Sequence, residues 1–179
     1  MKVREIMTTD VRSCSPDASL AEAATLMWEN DCGAVPLVNG AGQAVGIITD
    51  RDICMAVSTK NRLASDITVG EVSAGHVRTC RPEADVNEAL NLMRRGQFRR
   101  LPVTDEDGVL VGILSLADVI RHAKKGESKK ARHVPHKDVM RVLKALTRPA
   151  PPTEADEVAA EAADALEAEE MAEAAVSDV

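Results

Sequence analysis

The chain has 179 residues, enough for one medium domain or two small ones, and its 22 basic and 29 acidic residues give a net charge of −7. This charge argues against a uniformly basic nucleic-acid-binding surface, and the two aromatic residues, Trp28 and Phe98, are too few for a base-stacking platform. The longest apolar run, VLVGIL at 109–114, is too short to cross a membrane, and the charged N-terminus does not resemble a signal peptide. Because the four cysteines include no CxxC pair, we expect a soluble, reduced, cytoplasmic protein.

The sequence repeats itself at a spacing of 66 residues. Residues 3–53 align with residues 69–119 without a gap, and 17 of the 51 aligned positions are identical. Identity along a whole span at one constant spacing indicates an internal duplication. A unit of about 55 residues buries little surface alone, so we expect the two copies to pack sheet against sheet.

Each repeat predicts a β-α-β-β-α unit. The first strand is a short extended segment around 11–14, and a capping box from Ser19 to Glu22 then predicts the start of a helix. In repeat two, the residues from Asp85 to Glu88 resemble this box. The strands that follow are AVPLV and VGIIT in repeat one and RLPVT and VGILS in repeat two, with turns at 39–42 and 105–108 and last helices starting at Thr49 and Ser115.

Charge divides the chain into three parts. Residues 1–120 carry a net charge of −5, residues 121–148 carry +8 and residues 149–179 carry −10. The PAPP run at 149–152 indicates a stiff break. The predicted organisation is a first repeat domain at 2–60, a second at 66–124, a basic amphipathic helical segment at 125–148, and an acidic, Ala/Glu-rich, partly disordered tail at 149–179.

The basic segment has two interpretations. Lys137, Arg141, Lys144 and Arg148 fall on one helical stripe, opposite an apolar one, so this helix could dock on the repeats and present its cations to DNA, RNA or an acidic protein. Alternatively, the acidic tail folds back and screens the cations. We favour the second interpretation, because the charges nearly cancel within one short stretch.

The fullest constellation of polar residues follows the last strand of each repeat. Thr49 is followed three residues later by Asp52, and Ser115 by Asp118. A hydroxyl at a helix N-terminus favours phosphate, and a carboxylate one turn later can hold ribose hydroxyls. The same spacing is also a helix-capping pattern that needs no ligand, and spacing alone favours that simpler explanation.

The repeat resembles the cystathionine-β-synthase (CBS) domain, and the tandem resembles a CBS pair, or Bateman module. The resemblance covers about residues 2–124, and the segments that carry it are GAVPLV at 33–38 with VGIITDRDI at 45–53, and RRLPV at 99–103 with VGILSLADV at 111–119. It implies an α/β (α+β) fold in which tandem β-α-β-β-α repeats are related by pseudo-twofold symmetry. It also implies that adenosine ligands bind in clefts between the repeats.

The resemblance implies a set of ligand-binding residues. In the family, the hydroxyl and carboxylate of the repeated motif contact phosphate and ribose, an apolar residue before the strand proline lines the adenine pocket, and basic residues near this proline reach the phosphates. An arginine fork suits phosphate geometry, so the two clefts should differ; the alternative is an exposed arginine pair held by Asp105 or Glu106. The implied residues are Thr49, Asp52, Ser115 and Asp118 for phosphate and ribose, Val35 and Leu101 for adenine, Arg99 and Arg100 for phosphate, and, more weakly, Ser13 and Thr79 as polar contacts.

The expected function is that of a stand-alone regulatory protein that binds AMP, ADP, ATP or adenosylmethionine and signals to an effector protein as a homodimer. The alternative is a nucleic-acid-associated protein that acts through residues 121–148. No nucleophile–base arrangement stands out, so no enzyme activity is expected. A metal site at His133 and His136 lacks a third ligand, and Cys14 and Cys80 are expected to be small buried residues.

Overall fold

An antiparallel two-stranded hairpin stands between two helices in each repeat of this computed structural model, which describes residues 1–73, 77–124 and 134–147. The tandem α/β repeat fold is therefore confirmed. Repeat one contains α1 (Leu20–Glu29), β1 (Ala34–Val38), β2 (Ala44–Thr49) and α2 (Asp50–Lys60). Repeat two contains α3 (Val86–Gly96), β3 (Arg100–Thr104), β4 (Leu110–Ser115) and α4 (Leu116–Arg121), and it is followed by β5 (Ala123–Lys124), β6 (Val134–Pro135) and α5 (His136–Leu146).

The first predicted strand of each repeat is reduced to a single bridge. Cys14 pairs with Leu37 in parallel, and Cys80 pairs with Val103 in the same way. The hydrogen bonds agree, since the Cys14 N–H donates to the Pro36 carbonyl over 3.2 Å and the Cys14 carbonyl accepts from Val38 over 3.0 Å. The segment is extended as expected, but it meets the hairpin at one residue only.

Capping explains where α1 and α3 begin. The Ser19 hydroxyl accepts from the Glu22 N–H over 3.1 Å and the Glu22 carboxylate accepts from the Ser19 N–H over 2.7 Å, as the predicted box requires. At α3 the Asp85 carboxylate accepts from the Asn87 N–H over 2.9 Å and lies 3.6 Å from the N-terminal ammonium. Glu88 does not close a box there, so the resemblance to a full capping box was wrong although Asp85 does cap the helix.

A short segment at the start of each repeat packs into the core of the other repeat. Residues 3–5 form a 3-10 helix whose Val3 N–H donates to the Ala84 carbonyl over 3.0 Å, and Val3 is fully buried in the core of repeat two. The equivalent residue 66 positions later, Val69, donates to the Ala18 carbonyl over 2.8 Å and is fully buried in the core of repeat one. We call residues 1–7 and 66–72 the straps. Each strap completes the core of the other repeat.

The hairpin turns also meet across the repeats. The Ala44 N–H donates to the Gly108 carbonyl over 3.0 Å, and the equivalent Leu110 N–H donates to the Gly42 carbonyl over 3.0 Å. Gly42 and Gly108 have φ angles of 76° and 82°, in the left-handed region that glycine tolerates. This reciprocal pair of bonds has the pseudo-twofold symmetry that the family resemblance implies.

The last described helix lies on repeat two. α5 packs against α3, and its Val139 and Val142 are buried in the core of that repeat. Within the expected basic segment, residues 125–133 and Arg148 lie outside the described residues, as does the whole acidic tail at 149–179. Among the helices described, none has the length and hydropathy needed to cross a membrane.

The straps should be stability determinants. Because Ile67 is fully buried in the core of repeat one, Ile67→Ala should reduce the free energy of unfolding by about 2–5 kcal/mol. Leu63→Ala is the matched control, since Leu63 is 69% exposed and should change stability by less than about 0.5 kcal/mol. Urea unfolding of both variants measures this difference. Equal small effects would mean that the strap is not part of the core.

Candidate functional site

Thr49 and Asp52 close a capping box at the start of α2. The Thr49 hydroxyl accepts from the Asp52 N–H over 3.2 Å, and Asp52 Oδ2 accepts from the Thr49 N–H over 3.0 Å and from its hydroxyl over 2.6 Å. Asp52 is half-buried, and its Oδ1 accepts no hydrogen bond from the residues that the structure describes. One carboxylate oxygen is therefore available to a ligand while the other caps the helix.

Ser115 and Asp118 form the equivalent box at α4, with a difference. The Ser115 hydroxyl donates to Asp118 Oδ2 over 2.5 Å, while Asp118 Oδ1 accepts from Arg121 over 2.7 Å. Asp118 is only 7% exposed. Both of its oxygens therefore already accept hydrogen bonds, whereas Asp52 Oδ1 accepts none from the described residues.

The two residues expected to line an adenine pocket are core residues. Val35 and Leu101 are fully buried, each in the hydrophobic core of its own repeat. They lie opposite Ile48 and Leu114 in the hairpin registers. Their side chains thus hold β1 and β3 in place at the strand ends where the capping boxes begin.

Ser13 and Thr79 occupy equivalent half-buried positions before the bridging cysteines. The hydroxyls of Thr79 and the buried Thr104 are 3.4 Å apart. The equivalent of Thr104 in repeat one is Val38, which offers no such hydroxyl. The polar contacts available beside the first strands therefore differ between the repeats.

Arg100 reaches across to repeat one. A Cβ atom added at Gly33 would lie 3.2 Å from Arg100 Nη2 and 2.8 Å from Asp50 Oδ2, so the absent side chain of Gly33 lets both groups approach the same point. Arg99 is exposed, and among the described ion pairs neither arginine contacts Asp105 or Glu106. The two arginines thus have different surroundings.

Asp50 is the residue that sequence reasoning missed. It is exposed in the first turn of α2, and its Oδ1 accepts from the Arg51 N–H over 2.7 Å, where a bound anion would otherwise be favoured. The equivalent residue in repeat two is the buried Leu116. This exchange of Asp for Leu is visible in the aligned repeats and was the signal available.

The remaining candidates are the two bridging cysteines and the histidine pair. Cys14 and Cys80 are buried as expected, and burial raises the pKa of the Cys80 thiol to about 11. The described residues contain no group of three or more metal-ligating side chains, and His133 lies outside them.

Comparison with known proteins identifies the family. The family model of the CBS domain matches residues 3–59 and 69–125. The chain belongs to the CBS domain family. It is 36% identical over 126 residues to the CBS domain-containing protein YhcV of Bacillus subtilis, covering 70% of this chain and 88% of YhcV. It is 32% identical over 146 residues to hypoxic response protein 1 of Mycobacterium tuberculosis, covering 82% and 94% respectively.

The extent of these matches varies. The chain spans 62% of the length of a Methanopyrus kandleri protein, MK0525, and 24% of an inosine-5′-monophosphate dehydrogenase from Methanocaldococcus jannaschii. Among solved structures, the CBS pair of protein MJ0100, in complex with 5′-methylthioadenosine and S-adenosyl-L-methionine, matches with a TM-score of 0.62 at 26% identity. That match covers 68% of this chain and 94% of the MJ0100 chain.

The capping role of the two hydroxyls can be measured without a ligand. Thr49→Ala and Ser115→Ala should each lower the free energy of unfolding by about 0.5–2 kcal/mol, because each removes the acceptor of a helix N–H. Thr59→Ala, on the exposed side of α2, is the control and should cost less than about 0.5 kcal/mol. Urea unfolding of the three variants gives the comparison. No difference from the control would show that the boxes contribute no stability and exist for another reason.

Proposed function

We propose that the chain is a regulatory CBS-pair protein that binds an adenine nucleotide or another adenosyl compound between its repeats and signals, as a homodimer, to an effector protein. The observation that carries this proposal is the duplicated hydroxyl–carboxylate pair at the starts of α2 and α4. The adenosyl compounds bound by the similar MJ0100 pair support it.

The residues suggest how an adenosyl ligand is held. The free Oδ1 of Asp52 can accept a hydrogen bond from a ribose hydroxyl without disturbing the capping box. Asp118 is 7% exposed, and its Oδ1 would accept a ribose hydroxyl as a second hydrogen bond beside the one from Arg121. Repeat one therefore provides the more accessible ribose contact, and Val35 and Leu101 would support the adenine by positioning the strands beside it.

The ribose contact can be tested by removing the carboxylates. The double variant Asp52→Ala with Asp118→Ala should weaken AMP, ATP and adenosylmethionine binding about 10- to 150-fold per lost charged hydrogen bond. Isothermal titration calorimetry of the full chain measures these affinities. Asp10→Ala removes an exposed carboxylate elsewhere and should leave them unchanged. If the affinity of the double variant is unchanged, both aspartates act only as helix caps.

Phosphate preference is proposed to depend on the Arg100–Asp50 pair. The Arg100 guanidinium can hold a phosphate group, and the Asp50 carboxylate, which also lies beside Gly33 but forms none of the described ion pairs, would repel a polyphosphate. Arg99 is exposed at the equivalent of Gly33 and would contact phosphate only at the other cleft.

Substitutions at Asp50 and Arg100 should change the affinity for a nucleotide by an amount that depends on the charge of its phosphates. Asp50→Asn should strengthen ATP binding and leave adenosine binding unchanged, because the repulsion is lost but the acceptor for the Arg51 N–H remains. Arg100→Ala should weaken ATP binding more than AMP binding, and added salt should reduce the difference. Arg95→Ala is the control of equal charge change, since Arg95 is exposed in the last turn of α3 and has no part in the proposed site. If Arg100→Ala weakens adenosine and ATP equally, this arginine supports the fold instead of the phosphates.

Nucleic-acid binding remains the alternative. It would use Lys137 and Arg141, which are exposed on α5 while its apolar side packs on α3. Binding to DNA or RNA that falls steeply with salt and is lost in Lys137→Glu with Arg141→Glu would favour this alternative.

A further inference from the structure

A small cavity lies where α5 packs against α3. Its volume is about 140 Å³, and we call it the α3–α5 cavity. Two of its lining residues, Leu90 and Val142, are buried in the core of repeat two. The other lining residues carry amide, guanidinium or carboxylate groups: Asn87, Asn91, Arg94, Asp138 and Arg141. The cavity is therefore mostly polar, although it borders a hydrophobic core.

The charges that line this cavity do not balance. Arg141 Nη1 donates to Asp138 Oδ1 over 3.2 Å, so the charges of these two side chains offset each other. The exposed Arg94 side chain forms none of the ion pairs found among the described residues. Like charges repel each other across a small gap, and an anion placed between two guanidinium groups offsets that repulsion. The α3–α5 cavity thus has one positive charge for which the described residues supply no partner.

The hydrogen-bond donors of the cavity are specific to repeat two. Three lining residues of α3 replace residues of α1 that have neither an amide nor a guanidinium side chain: Asn87 replaces Ala21, Asn91 replaces Thr25 and Arg94 replaces Trp28. Amide and guanidinium groups donate the hydrogen bonds that an oxyanion accepts. The donors therefore lie on the helix against which α5 packs, and the duplicated helix of repeat one lacks them.

We propose that the α3–α5 cavity binds one phosphate group, as the free ion or at the end of a small phosphate ester. Such an ester carries a charge of about −1.5 to −2 at pH 7, so it can pair with two guanidinium groups at once. A water molecule takes about 30 Å³, so 140 Å³ leaves room for a small oxyanion. Sites for drug-sized molecules usually measure about 300–1,000 Å³, so a nucleoside would not fit inside.

The donors of this cavity come from two helices. Arg94 belongs to α3 and Arg141 to α5, so a phosphate bound to both guanidinium groups links these helices. A long hydrogen bond already joins them, in which Gln97 Nε2 donates to the Ala145 carbonyl over 3.4 Å. Since the phosphate meets both arginines only when α5 is docked, its binding should stabilise that docking. The inference goes beyond the proposed adenosyl function, with which it shares no residue.

An NMR titration of the full chain in a phosphate-free buffer tests the site. Inorganic phosphate should shift the side-chain N–H resonances of Arg94 and Arg141. Arg94→Ala and Arg141→Ala should each weaken phosphate binding about 10- to 150-fold, as expected for the loss of a charged hydrogen bond.

Arg95→Ala is the matched control for these two variants. Arg95 is exposed on α3 and does not line the cavity, so its removal changes the charge equally and should leave phosphate binding unchanged. Equal weakening by all three variants would overturn the inference. It would indicate a diffuse attraction between cations and phosphates, of the kind that supports non-specific nucleic-acid binding.

The carboxylate in the cavity offers a test with the opposite sign. Asp138→Asn removes the charge that offsets Arg141, so it should strengthen phosphate binding about 2- to 5-fold. A gain in affinity cannot result from misfolding. Unchanged or weaker binding in this variant would contradict the proposed location.

A second titration identifies the source of the phosphate group. If methyl phosphate binds as well as inorganic phosphate, the cavity accepts the terminal phosphate of an ester. If inorganic phosphate alone shifts the Arg94 and Arg141 resonances, the cavity accepts the free ion. Shifts confined to Arg99 and Arg100 would place the anion in the proposed adenosyl clefts and overturn the inference.

Amide hydrogen exchange separates this site from adenosyl binding. Saturating inorganic phosphate should slow exchange along α5, and the double variant Asp52→Ala with Asp118→Ala should keep this response because neither aspartate lines the cavity. Unchanged exchange along α5 would contradict the inference. A native chain that shows the response but binds no adenosyl compound would leave the phosphate site standing and refute only the adenosyl proposal.

Discussion

The exchange of the two straps determines how the two repeats fit together. Val3 is fully buried in repeat two and Val69 is fully buried in repeat one, so neither repeat completes its core with its own contiguous sequence. A unit of about 55 residues could not bury enough apolar surface alone, and the exchange ties the stability of each unit to the other. The reciprocal bonds between the hairpin turns then fix the two sheets against each other. The starts of α2 and α4 acquire their relative positions from this frame.

The backbones of the two repeats are arranged symmetrically, but equivalent positions carry different residues. Asp50 in repeat one corresponds to Leu116, and Ala34 corresponds to Arg100. The Asp50 carboxylate and the Arg100 guanidinium, from different repeats, therefore both lie beside Gly33, whereas the equivalent position in repeat two carries Arg99. Similar logic applies to the helical faces, where Trp28 corresponds to Arg94. Duplication supplied two equivalent scaffolds, and substitution made the surroundings of the two clefts and the two helical faces different.

Local sequence signals predicted the hairpins and helices well. The predicted strands AVPLV and RLPVT coincide with β1 and β3, and the hydroxyls at Thr49 and Ser115 mark the N-caps of the following helices. Such signals are short-range: alternation, turn residues and caps act within a few positions of the chain. The aliphatic character of Val35 and Leu101 was likewise compatible with the core positions they occupy.

These local signals could not predict the contacts between the two repeats. Periodicity does not reveal which repeat a strap joins, because Val3 and Val69 would be equally apolar in either core. The approach of Arg100 to Asp50 depends on how the repeats face each other, which no local pattern encodes. Asp85 illustrates a smaller failure, since its carboxylate binds Asn87 and the N-terminal ammonium instead of forming the box with Glu88.

Amide hydrogen exchange of the full chain, with and without saturating AMP or adenosylmethionine, tests whether adenosyl ligands bind where the capping boxes begin. We expect at least one of these ligands to slow exchange at the first turns of α2 and α4, with no change along α1. Slower exchange confined to α1 beside Trp28, or no change with either ligand, would contradict it.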